Sequence, residues 1–252
     1  MSKVILVGAG PGDLDLITVK GLNAVKSADV IVYDALVNKE LLNFSKSNTI
    51  LVYVGKRFNN HSYSQDEINN LLLDYSRRYS NVVRLKGGDS FVFGRGAEEM
   101  SFLEDFGVEV EVVPGISSAI AVPELQGIPL TKRNISESFM VITGVNSKGE
   151  IPDDLIHGAK SNCTLVVLMG LRNIEKIMNV VSKYRSAYTP FAVIQNGSLL
   201  NERILINSIG SYKESVKQLD CQFPGVLIIG DVVSEHPQFL SEEIHRVLER
   251  FS

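Results

Sequence analysis

Residues 3–13 read KVILVGAGPGD: a β-branched apolar run, then three glycines in five positions, then an acid. An apolar run that ends in a glycine turn and feeds a helix-period segment is the opening of a parallel α/β sheet. It is also where a dinucleotide fingerprint would stand. The third glycine of GxGxxG would fall at position 13, however, and that residue is Asp13. Pro11 further stiffens the turn where such a loop offers amides to a pyrophosphate. The turn therefore suits an adenosine ligand without phosphates better than NAD, with a purely structural turn as the other reading.

The same rhythm repeats outward from this stretch. Apolar runs occur at 30–33, 50–54, 82–85, 108–113 and 139–143, most of them closed by a turn and followed by helix periodicity. Ser64-Gln-Asp-Glu67 is a capping-box pattern, and Ile68, Leu71, Leu72 and Tyr75 follow on one helical face. Leu16, Val19, Leu22 and Val25 predict another helix, 95–106 a third stopped by Gly107, and 117–125 a fourth. Hydrophobicity drops between Gly144 and Ser161, in VNSKGEIPDD, which places a domain boundary there: residues 1–146 and 147–252. The second half repeats the theme more loosely, and 241–251 carries one apolar stripe of a docking helix. The fold class is α/β, with two α/β domains.

Composition narrows the function. In 252 residues, 44% are hydrophobic and 21% charged, ordinary for a globular enzyme. A formal charge of -4 provides no global field for nucleic acid. Cys163 and Cys221 are lone cysteines without ligand spacing, which argues for packing roles in a reducing compartment and against a metal. The first apolar run is too short for a signal peptide or membrane span, so the expected location is cytoplasmic.

Charges gather at the predicted strand ends. Asp34 closes one strand, Lys56 and Arg57 another; Arg84, Lys86, Asp89 and Arg95 surround a third. Open parallel sheets bind ligands outside the carboxyl ends of their strands, so this set predicts a site for an anionic ligand. In RLKGGDSFVFGRG (84–96), Gly87 and Gly88 let backbone approach a ligand, and Asp89 can accept hydrogen bonds. Phe91 and Phe93 offer an apolar wall. His61, in a polar loop, reads as a surface residue.

Taken in order, GAGPGD, YDALV, VGKR, RLKGGDSFVFGRGAEE, VVPGISSA, GIPLTKR, VVLMGLRN and QNGS resemble the uroporphyrinogen-III C-methyltransferases of sirohaem and cobalamin synthesis, from Val4 to about Val233. Four positions depart from that pattern: Ser90 stands for a proline, Ala97 for a glycine, Lys132 for a histidine and Gln195 for a glutamate.

The resemblance implies two domains of tetrapyrrole-methylase type with S-adenosylmethionine in the cleft between them, and a homodimer. It implies cofactor contacts from Pro11, Gly87, Gly88, Asp89, Val92, Ser117, Ser118, Met169 and Gly197, with Asp34 as proton acceptor and Lys56 as proton donor. The substrate would be uroporphyrinogen III, whose eight carboxylates Arg57, Arg84, Arg95, Lys132 and Arg133 would hold. Methylation at C-2 and C-7 would give precorrin-2 and S-adenosylhomocysteine. A sibling corrin methyltransferase, an NAD-dependent oxidoreductase and an inactive cofactor-binding module are the rival readings.

Overall fold

The computed structural model describes residues 3–55, 63–146 and 148–239. The chain divides into two compact units, Met1–Ser118 and Ala119–Ser252.

In the first unit the elements run β1 (Lys3–Gly8), α1 (Val19–Ser27), β2 (Val30–Tyr33), β3 (Ile50–Tyr53), α2 (Gln65–Ser76), β4 (Asn81–Lys86), α3 (Gly96–Asp105) and β5 (Glu109–Val113). The five strands form one sheet in the order β3-β2-β4-β1-β5, with every pairing parallel. Alternate residues of each strand face opposite sides. Ile5, Val7, Ile31, Val83 and Leu85 therefore build one core with Ala24 and Val25 of α1. Val4, Leu6, Val30, Val32 and Val82 build the other with Ile68, Leu72 and Leu73 of α2 and Leu103 of α3.

The helix boundaries have local causes. Ser64 Oγ accepts from the Glu67 amide at 3.2 Å, and Glu67 Oε2 accepts from the Ser64 amide at 2.7 Å, so the expected capping box is formed. Gly107, at φ 74°, ends α3 by turning left-handed, and its amide closes on the Glu104 carbonyl at 2.8 Å. Helix α1 begins later than the periodicity predicted. Thr18 caps it, accepting from the Gly21 amide at 3.1 Å, which leaves Leu16 in a preceding 3-10 turn and Val19 78% exposed. The buried stripe is Gly21, Ala24 and Val25.

A helix α4 (Ser118–Leu125) leads into the second unit, followed by β6 (Phe139–Thr143), α5 (Asp154–Lys160), β7 (Thr164–Leu168), α6 (Ile174–Val181), β8 (Pro190–Gln195), β9 (Arg203–Ser208), α7 (Tyr212–Ser215) and β10 (Gly225–Ile229). The sheet order is β6-β7-β10-β8-β9. Only β6 and β7 pair in parallel; β10 runs antiparallel to β7 and β8, and β9 antiparallel to β8. This sheet is mixed, where the apolar runs had predicted a mostly parallel one.

The division between units also falls earlier than the sequence placed it. Strand β6 belongs wholly to the second sheet, and 144–153 is a connection inside that unit, between β6 and α5. Polarity marked a surface loop rather than a boundary. The stripe expected at 241–251 lies outside the described residues. Among the described residues no helix is long and apolar enough to cross a membrane.

Candidate active site

All five strands of the first sheet point the same way, so the segments after them share one edge. These are GAGPGD after β1, YDALV after β2, Val54-Gly55 after β3, GGD after β4 and PGISS after β5. Backbone ties them together. The Gly88 amide donates to the Gly10 carbonyl at 2.7 Å, and the Gly10 amide returns a bond to Gly88 at 3.2 Å. A Cβ on Gly8 would stand 2.5 Å from the Gly115 nitrogen and 2.7 Å from the Gly88 carbonyl oxygen. Three loops thus meet at a spacing that excludes any side chain.

Gly88 itself, at φ 65°, is open on its other side: an added Cβ would meet only the Ser118 nitrogen, at 3.9 Å. It presents bare backbone, which a flat ligand can approach. Close by in the chain, Phe91, Val92 and Phe93 are 47%, 38% and 44% exposed, an apolar surface beside a polar edge. That pairing fits an adenosine group. Pro11 is half-buried in the turn between Gly10 and Gly12, and the Gly12 carbonyl accepts from Asn38 Nδ2 at 2.8 Å. Asn38 thereby ties the loop after β2 to the loop after β1. No motif flagged it, because a lone Asn after YDALV reads as an ordinary helix cap.

Asp89 is already engaged. Its Oδ1 accepts from the Phe91 amide at 2.8 Å and its Oδ2 from the Gly115 amide at 3.0 Å. Its first task is to hold the loops after β4 and β5. Ser90, where the related pattern has proline, is buried, and its hydroxyl has no partner among the described residues. Ser117 and Ser118 lie at the start of α4.

Asp34 follows β2. Its Oδ1 accepts from the Leu36 amide at 3.1 Å, and its side chain is 27% exposed. Lys56, Arg57 and His61 lie outside the described residues. Gly55 is packed so that a Cβ would lie 2.6 Å from the Ala35 nitrogen, so Gly55 rests against the loop that carries Asp34.

The structure sets four of the expected cations against carboxylates. In β4, Val82, Arg84 and Lys86 share a face, and that face is covered by α2 and α3. Arg84 and Lys86 are 3% and 4% exposed and both bond Glu99 Oε1, at 3.2 and 2.8 Å. Burial, and after it the Arg84 charge, hold the Lys86 amine below its ordinary pKa, against the pull of Glu99. Neither is presented to solvent. Arg95 is exposed and paired with Glu98 at 2.5 Å, whose carboxyl is held low chiefly by that bond. Lys132 is paired with Glu235, and Arg133 lies exposed in the turn bridged by Lys132 and Ser136.

In the second unit Met169 follows β7 with φ 55° and is 54% exposed. Gly197 follows β8 and Asn196, itself at φ 51°. A Cβ on Gly197 would meet the Val122 side chain at 2.5 Å, so this turn lies flat on α4. Among the described residues no group of three or more His, Cys, Asp or Glu is placed to hold a metal.

Comparison with known proteins places these features in a family. Residues 3–212 match the family model for Tetrapyrrole (Corrin/Porphyrin) Methylases. A uroporphyrinogen-III C-methyltransferase of Methanocaldococcus jannaschii is 48% identical over 237 residues, 92% of this chain and 97% of that one. Another, of Priestia megaterium, is 43% identical, covering 93% and 99%. Among solved structures, uroporphyrin-III C-methyl transferase of Thermus thermophilus complexed with S-adenyl homocysteine aligns with a TM-score of 0.80 at 39% identity, covering 92% of this chain and 99% of that one.

Proposed function

The chain belongs to the tetrapyrrole methylase family, and we propose that within it the protein is a uroporphyrinogen-III C-methyltransferase. It methylates C-2 and C-7 of uroporphyrinogen III and yields precorrin-2. The observation that carries this reading is the glycine-lined carboxyl edge of the first sheet, in a chain similar along nearly its whole length to enzymes of that name.

S-adenosylmethionine, when bound, supplies an electrophilic methyl group. Pro11, the backbone of Gly87 and Gly88, the apolar side chain of Val92, Ser117, Ser118, Met169 and Gly197 are the contacts proposed to hold it. Asp89 acts by shaping that surface, since both of its oxygens hold backbone amides. An electron-rich pyrrole carbon needs an in-line approach more than a strong base, so orientation supplies most of the rate. Each methylation ends when the macrocycle loses a proton. Asp34, partly exposed at the edge, is the proposed acceptor and Lys56 the proposed donor. Arg57, Arg95, Lys132 and Arg133 remain as the residues proposed to hold substrate carboxylates; Arg84 is withdrawn, because it is buried and bonded to Glu99.

A homodimer and a cytoplasmic location belong to the same proposal, the second supported by two cysteines that are both free. The test is anaerobic incubation with uroporphyrinogen III and S-adenosylmethionine, with mass analysis of the tetrapyrrole. A gain of two methyl groups supports the assignment. Methylation of a cobalt-precorrin instead, with uroporphyrinogen untouched, moves the chain to a sibling activity.

A further inference from the structure

We propose that Arg84 is a positioning residue for Asp34, setting its carboxylate from beneath the sheet edge without touching substrate. The inference rests on the proposed role of Asp34 as proton acceptor.

Arg84 is held on several sides. Its Nε donates to Glu99 Oε1 at 3.2 Å, and its Nη1 donates to the carbonyls of Val32 at 3.4 Å and Leu85 at 3.2 Å. The remaining nitrogen, Nη2, stands 3.7 Å from Asp34 Oδ2. Strand register explains the approach: Arg84 pairs with Val32 of β2, two residues before Asp34. The guanidinium lies under the end of that strand.

Charge balance explains why Asp34 answers it. Two cations, Arg84 and Lys86, are buried beside one fully buried anion, Glu99. Glu99 Oε1 receives Arg84, Lys86 and Gln65, whereas Oε2 has no partner among the described residues. Gln65 also bonds Asn69, which closes the cluster on the side of α2. The other charges near it on α3 are Glu98 and Arg95, which pair with each other in solvent. Among the described residues one positive charge is therefore left over inside, and a buried charge without a counterion is costly. Asp34 is, among the described residues, the second carboxylate in ion-pair contact with the cluster. Its other oxygen accepts from the Leu36 amide, so the carboxylate is held from two sides.

The experiment is steady-state kinetics on Asp34→Asn, Arg84→Gln, Arg84→Lys and the double variant Asp34→Asn/Arg84→Gln, with circular dichroism and thermal unfolding of each. Misplacing a reacting group by about 1 Å can cost about 100-fold in rate. Arg84→Gln is expected to lower kcat about tenfold or more while KM for the tetrapyrrole stays within about twofold. Arg84→Lys restores part of the rate by keeping the charge. The double variant is expected to be no slower than Asp34→Asn, because Arg84 acts through that carboxylate. If Arg84→Gln does not fold, Arg84→Lys takes its place in the cycle.

Losses that multiply in the double variant, or a rise in KM with kcat unchanged, would overturn the inference; the second result would return Arg84 to substrate binding. Asp34→Asn at wild-type rate would remove the acceptor assignment and the inference with it. A slow Asp34→Asn beside an Arg84→Gln at wild-type rate would remove the inference alone.

Discussion

The Gly115 amide donates to Asp89 Oδ2 at 3.0 Å, so a carboxylate after β4 holds the loop after β5. The acid of the GGD turn is therefore part of the scaffold on which a ligand would lie. Asp89→Ala removes two bonds to a charged acceptor, and hydrogen bonds of that kind contribute about 1.5–3 kcal/mol each. We expect a lower thermal midpoint together with weaker S-adenosylmethionine binding by calorimetry. Weaker binding at unchanged stability would instead give Asp89 a direct role in contacting the ligand.

Gly8→Ala tests the convergence of the three loops. Its Cβ would press on the Gly115 nitrogen at 2.5 Å and the Gly88 carbonyl at 2.7 Å, and neither is the end of a flexible side chain. Overpacking of this kind costs about 1–3 kcal/mol. Urea unfolding should show that loss, and cofactor affinity should fall with it.

Ser90→Ala should go the other way. The hydroxyl is buried without a partner among the described residues, and an unsatisfied group of that kind carries a desolvation cost of about 1–3 kcal/mol. The alanine variant is expected to unfold at a higher temperature than the parent. A decrease would mean that the hydroxyl bonds a buried water.

A pH test is available far from the site, where Lys20 and Lys3 donate to Glu111 at 2.8 and 2.9 Å and hold its carboxyl below the ordinary value of 4.5. A depressed acid stabilises the fold above its unfolded pKa, and that contribution is lost as pH falls through the folded one. Glu111→Gln should therefore be less stable than the parent at neutral pH, by about 0.2–1 kcal/mol for so exposed a pair. The gap should close as pH drops below 4.5.

Much of the first unit was legible because its signals are local. The capping box at Ser64, the glycine stop at 107 and the apolar strands all depend on neighbours in the chain. Arg84 and Lys86 were misjudged for a readable reason. They stand near a strand end, which pointed to the ligand edge, but they alternate with Leu85, which puts them on the face of Val82 beneath α3. The partner that decided the matter, Glu99, is 13 residues from Lys86, and nothing local announces a buried carboxylate. The antiparallel course of β10 was not legible at all, since an apolar run carries no direction. The unit boundary was missed because the polar loop at 144–153 was more conspicuous than the ordinary helix start at Ser118.

The meeting of Gly8, Gly88 and Gly115 has a consequence for synthesis of the chain. Contacts so far apart in sequence form late, after the intervening loops have closed. A nascent chain that has not yet released Gly115 from the ribosome holds the first two loops without their third wall, and Asp89 without the amide it accepts. The packing of these three loops therefore closes only once the loop after the fifth strand is out. Ligand retention by chains truncated on either side of residue 115 would record when the first unit becomes complete.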